Sequence, residues 1–206
     1  IDMPAGPSEI FIIADKYANP TFIAADLLAD AEHGPDSAAI LLTTSQDLAK
    51  KVFAEIKNQL KTIETSRRIR ASLKKFGLIG IVANIKEAVE FCNDYAPEHL
   101  EIQTRNAYKI ANKINNAGSI FLGSWTTKSA GDYATGSNHI LPTGGSAKMF
   151  SALSVEDFGR LIPIQEIKTK EALLKLKSTI ETFSKIENLP AHKTATSIRF
   201  GKESNE

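Results

Sequence analysis

Short apolar runs recur along the first two thirds of the chain, each separated from the next by a longer stretch with helical punctuation, and this alternation constrains the fold more than any other feature. The runs are EIFIIA (9–14), AAILLTTS (38–45), GLIGIVAN (77–84), HLEIQT (99–104) and SIFLG (119–123). Between the first two lies NPTFIAADLLADAEHG, which opens with Asn19 as an N-cap and Pro20 at the first helical position and closes on Gly34. SQDLAKKVFAEIKNQL, residues 66–76, IKEAVEFCNDYA and NAYKIANKINNAG supply the other helical stretches. Strand–helix alternation predicts an α/β protein with a mostly parallel sheet and helices on both faces. GLIGIVAN reads as a third buried strand and HLEIQT as a strand of alternating pattern, whereas strand order does not follow from periodicity.

After Gly123 the texture changes. SWTTKSAGDYATGSNHILPTGGSAKMFSAL is rich in Gly, Ser and Thr and too long for an ordinary connection, and its embedded Asp132, Tyr133 and His139 point to a functional loop. Beyond residue 153 a short helix (SVEDFGR) and a strand-like IPIQEIK lead into EALLKLKSTIETFSKIEN. There Leu173, Leu176, Ile180 and Phe183 fall on one helical face, a stripe that needs a surface to cover in this chain or in a partner subunit. The expected organisation is an α/β catalytic domain over residues 1–152 and a small, mainly helical tail over 153–206. Because the chain opens on Ile1 in a loop feeding a strand, it reads as the later part of a longer polypeptide.

Charge narrows the function classes. The 25 basic and 24 acidic residues nearly cancel, which argues against nucleic-acid or anionic-membrane binding. No apolar run approaches the length that spans a bilayer. The single cysteine, Cys92, has no internal partner, which suits a reducing compartment and a cytoplasmic location.

All four histidines stand at punctuation points: His33 at a helix end, His99 at a strand start, His139 in the long loop and His192 after a proline. Asp30 and His33, three apart on a helix, share a face and can reach one ion from the helix end; they can equally be an exposed terminus with a histidine near the C-terminal dipole. Asp132 sits in a glycine-bracketed loop as a presented carboxylate or a turn former. Glu187 and His192 straddle Pro190 at a helix-to-helix corner, and Ser8 in AGPSE can orient a ligand or turn the backbone. Glu98 and His99 are adjacent, so a regular strand would send them to opposite faces, while an irregular strand start lets both approach one cleft. A histidine there suits proton abstraction from an alcohol, and a carboxylate beside it can activate water; the alternative is an edge glutamate next to a packed histidine.

The motifs MPAGPSE, AEHGPDS, PEHLEIQTRNA, AGSIFLG, SAGDYATGSNHILPT and LPAHK, in that order, make the chain resemble the later half of histidinol dehydrogenase. The resemblance runs along essentially the whole chain. It implies a Rossmann-like sheet and a zinc-dependent homodimer that oxidises L-histidinol to L-histidine in two NAD-dependent steps. It makes His99 the base that takes the hydroxyl proton and Glu98 the base that activates water in the second oxidation. Asp30, His33, Asp132 and His192 become the zinc ligands, and Ser8, His99, Glu187 and the ligands line the histidinol pocket. The tail would cross to the other subunit, so that Glu187 and His192 complete the neighbouring site. The chain departs from the family in two ways. Asp30 stands where glutamine is usual, which adds a negative charge at the metal, and the family's earlier half, with most of the nicotinamide contacts, is missing. A catalytically silent binding module of the same family is the competing reading. A metal-dependent hydrolase using Glu98 on zinc-bound water is a weaker third.

Overall fold

The protein is described by a computed structural model that covers residues 6–201. The chain divides into two compact units between Phe158 and Gly159.

The first unit contains a five-stranded, all-parallel sheet of β1 (Glu9–Ala14), β2 (Ala38–Thr43), β3 (Gly77–Ile81), β4 (His99–Gln103) and β5 (Ser119–Leu122), in the order β3-β2-β1-β4-β5. The helices are α1 (Pro20–Ala31), α2 (Gln46–Gln59), α3 (Ser66–Phe76), α4 (Ile85–Tyr95), α5 (Ala107–Ala111) and α6 (Lys128–Tyr133). Asn19 caps α1 by accepting from the Thr21 amide, with Pro20 following it, and Ser45 caps α2 by accepting from Leu48.

Strand periodicity divides the core into two layers. Ile10, Ile12, Ala39 and Leu41 pack with α1, α2 and α3, while Phe11, Ile13, Ile40, Leu42, Leu100 and Ile102 pack with residues of α4 and α5 on the other face. The sheet is therefore covered on both sides, as the alternation predicts.

Four local expectations change. β3 is the edge strand rather than a buried one, and Leu78 and Ile81 remain exposed. β4 is buried along its whole length, because its polar residues Glu101 and Gln103 meet one another and Asp26 of α1 instead of water. The Gly-rich segment after residue 123 holds a helix, α6, started by the Thr127 hydroxyl accepting from Ala130. The helix expected over 106–118 is reduced to the five residues of α5.

The second unit consists of α7 (Lys170–Ile186) and α8 (Pro190–Ser197), followed by a 3₁₀ turn at Ile198–Phe200. The strand-like IPIQEIK forms no strand; its alternating apolar residues have no strand alongside to pair with, and they are exposed. Leu176 and Phe183 of the α7 stripe are also exposed within this unit.

Candidate active site

The site lies where the two central strands begin. Ser8 precedes β1 and His99 opens β4, which pairs with β1 at Ile10. Helix α1 runs back to the same end of the sheet, so Asp30 falls in its last turn and His33 just beyond it. Helix α4 stops on Ala96, which is left-handed (φ 55°, ψ 64°), and the turn lets Pro97 and Glu98 enter before the strand proper. Glu98 therefore does not obey strand alternation, and both it and His99 border one cavity of about 330 Å³. Ser8, His33, Lys128, Asp132, Tyr133 and His139 also line it. Gly118 is needed here, since a Cβ would lie 2.6 Å from the Glu98 carbonyl oxygen.

His99 is almost fully buried, and its Nδ1 lies 3.1 Å from the Glu9 carbonyl oxygen. A carbonyl only accepts, so Nδ1 carries the proton and Nε2 holds a lone pair. That Nε2 is buried without a hydrogen-bond partner, and its nearest charged neighbour is Asp132 Oδ1 at 3.8 Å. Glu98 Oε2 accepts from the Glu9 amide at 3.0 Å and stands 3.0 Å from the Ser8 hydroxyl. Burial pushes the Glu98 carboxyl upward, but the hydrogen bond from His99 and the donors at Glu9 and Ser8 outweigh it and hold Glu98 below the usual carboxylate range. Glu9 goes the other way, raised chiefly by burial, even though the Gly144 amide donates to it.

Lys128 is the residue that sequence reasoning passed over. Its ammonium is buried and lies 3.0 Å from Asp30 Oδ1, 2.8 Å from Asp132 Oδ2 and 3.4 Å from His33 Nε2. Burial alone would depress its proton affinity, but Asp30 and Asp132 raise it above the ordinary lysine value. One signal was available: Lys128 and Asp132 are four residues apart, the spacing of a helical ion pair, in a segment read as loop. A second layer, also missed, supports this arrangement. Glu101 accepts from the Lys128 amide at 3.0 Å and from Gln103 at 2.9 Å, and Gln103 also donates to Asp26.

Asp30, His33 and Asp132 thus gather around one point, together with Ser8, Glu98 and His99. Asp30 is deeper than a rim ligand would be: it is fully buried, its Oδ1 meets Ser8 and Lys128, and its Oδ2 has no partner. Glu187 and His192 belong to the second unit, where both line a separate cavity between α7 and α8. Among the described residues, no three His, Cys, Asp or Glu side chains are arranged to hold a metal ion.

A parallel α/β sheet that gathers a buried histidine, a carboxylate and an ion network around one cavity at its strand starts is an α/β protein with an enzyme-like cleft. The histidinol dehydrogenase family model matches residues 1–200, and the chain belongs to that family. It is 55% identical over 192 residues to the histidinol dehydrogenase of Blochmanniella floridana, covering 93% of this chain and 44% of that protein. It is 48% identical over 199 residues to that of Escherichia coli K12, covering 97% of this chain and 45% of that protein. A crystal structure of histidinol dehydrogenase from Elizabethkingia anophelis superposes with a TM-score of 0.90 at 43% identity, over 97% of this chain and 46% of that one. The chain therefore spans a little under half the length of the relatives it matches.

Proposed function

We propose that this chain carries the proton-transfer site of a histidinol dehydrogenase, the NAD-dependent enzyme that takes the amino alcohol L-histidinol through an aldehyde to L-histidine. The observation that carries this reading is the unpartnered Nε2 of His99, a buried lone pair fixed by the Glu9 carbonyl on a residue that borders a cavity of about 330 Å³. That volume suits an amino alcohol. NAD supplies the hydride acceptor.

In the first oxidation His99 Nε2 takes the hydroxyl proton as the carbinol C–H leaves as hydride, giving the aldehyde. In the second, water adds to the aldehyde and the hydrate loses hydride and protons to give the carboxylate. Glu98, held charged, accepts a hydrogen bond from that water and orients it toward the carbonyl carbon. The Ser8 hydroxyl fixes Glu98, and Asp132 faces the same cavity as a candidate contact for the substrate's amine.

The zinc ion that the family implies does not fit the donor set as built. Asp30, His33 and Asp132 already surround the Lys128 ammonium at 2.8–3.4 Å, whereas zinc needs oxygen and nitrogen donors at about 2.0–2.2 Å. No step above is routed through a metal.

The remaining assignments belong to the same proposal. Residues 1–152 carry catalysis and 153–206 form a dimerisation tail that brings Glu187 and His192 to the neighbouring subunit's site in a cytoplasmic homodimer. The exposed Leu176 and Phe183 on α7 support a covered face there. No helix among the described residues is long and apolar enough to cross a membrane.

The test is NADH formation from L-histidinol, measured with this chain alone and with it joined to the segment by which its relatives are longer. Turnover in the joined protein supports the enzyme. Inactivity of both forms, with normal folding and NAD in excess, favours the catalytically silent module.

A further inference from the structure

Lys128 donates along three N–H bonds, and the site offers three acceptors: Asp30 Oδ1, Asp132 Oδ2 and His33 Nε2. His33 Nδ1 lies 3.1 Å from the Asp30 carbonyl oxygen, which fixes its proton on Nδ1 and turns the Nε2 lone pair toward the ammonium. These are the same lone pairs that would bind a cation. We infer that Lys128 is a built-in replacement for the divalent cation, so that the site of this chain is organised by a fixed ammonium and excludes zinc. The inference rests on the family reading in which Asp30, His33 and Asp132 form the cation-binding donor set.

Three observations carry it. The first is position: the ammonium lies within reach of all three donors, and Asp132 stands one helical turn along α6 from Lys128. The second is charge. Asp30 is fully buried and has Lys128 as its cationic partner at 3.0 Å. A buried carboxylate without such a partner would be strongly disfavoured, so Asp30 and Lys128 form a compensating pair. The third is anchoring. The Lys128 amide is held by Glu101, the Thr127 hydroxyl starts the helix, and the lysine is only 2% exposed, so its ammonium is kept among these donors. A divalent ion arriving at these donors would meet a like charge already paired with them.

The experiment is metal analysis of the full chain after equilibration with excess zinc and removal of unbound ion. Wild type is expected to retain substoichiometric zinc, unchanged by His33→Ala. Asp30→Gln combined with Lys128→Ala removes one charge of each sign and is expected to take up about one zinc per chain, lost again when His33→Ala is added. Wild type holding one zinc per chain that His33→Ala releases, with the circular dichroism of that variant matching wild type, overturns the proposal. Failure of the double variant to bind zinc while its circular dichroism matches wild type also overturns it, since the lysine would then not be what keeps zinc out. Both results are independent of NADH formation, so loss of this inference is distinguishable from loss of the histidinol reading.

Discussion

His99 on β4 places its Nδ1 3.1 Å from the Glu9 carbonyl oxygen of the neighbouring strand, so the pairing of two central strands sets which imidazole nitrogen is free to act as a base. His99→Asn can keep a donor toward Glu9 but has no basic nitrogen for the cavity. In the protein joined to the segment by which its relatives are longer, kcat for histidinol oxidation should fall by about 10²–10⁴-fold with a much smaller change in KM. A kcat within a few-fold of wild type would remove His99 from proton transfer.

On the proposed scheme Glu98 acts in the second oxidation, which would separate it from His99 by product rather than by rate alone. Its carboxylate is kept charged, so Glu98→Gln removes a negative acceptor while nearly preserving shape. Aldehyde should accumulate in that variant, and the yield should move from two NADH per histidinol toward one. Trapping the aldehyde with a carbonyl reagent and counting NADH checks this. Unchanged stoichiometry with a uniformly slower reaction would argue against the role.

Beneath the site, Glu101 links stability to pH. Burial, and next the nearby Asp26 carboxylate, push its carboxyl up to about 8 from an ordinary 4.5. Between those values the folded protein holds a proton that the unfolded chain has lost, so stability is greatest below the lower value and is lost as pH rises through the upper one. The slope from this group reaches at most about 1.4 kcal/mol per pH unit. Asp26, raised mainly by burial, acts in the same direction. Urea midpoints measured from pH 5 to 9 should fall for wild type and fall less for Glu101→Gln. Parallel curves would show that Glu101 is not the titrating group.

The sequence shows the local part of this architecture well and the tertiary part poorly, for physical reasons. Asn19–Pro20 and Ser45 announce helices because a cap is made by neighbours in sequence. The apolar runs announce strands, and β1, β2 and β4 lie as expected. Burial of a strand depends on its place in the sheet, so GLIGIVAN looked like a core strand and forms the edge. IPIQEIK has strand chemistry but no strand beside it. Helix α6 was hidden by Gly131, which is tolerated there because a Cβ would lie 2.4 Å from the Phe121 ring. Of the residues that the structure gathers at the site, Ser8, Asp30, His33, Glu98, His99 and Asp132 were legible as candidates from motif and position. Lys128 was not, because a lysine between a threonine and a serine normally faces water, and only the convergence of α1 and α6 buries it.

That convergence makes the Asp30–Lys128 pair a stability determinant as well as a part of the site. Removing one partner leaves the other as an uncompensated buried charge, which typically costs about 3–5 kcal/mol, whereas removing both leaves polar or apolar groups that can repack. Asp30→Gln and Lys128→Ala should therefore each lower the urea midpoint sharply, and the combined variant should be more stable than either. Because Lys128 also touches Asp132 and His33, recovery should be incomplete, with a favourable coupling of at least about 1 kcal/mol in the double-mutant cycle. Additive losses would mean that the two residues stabilise the protein independently and that the ammonium owes its position to α6 alone.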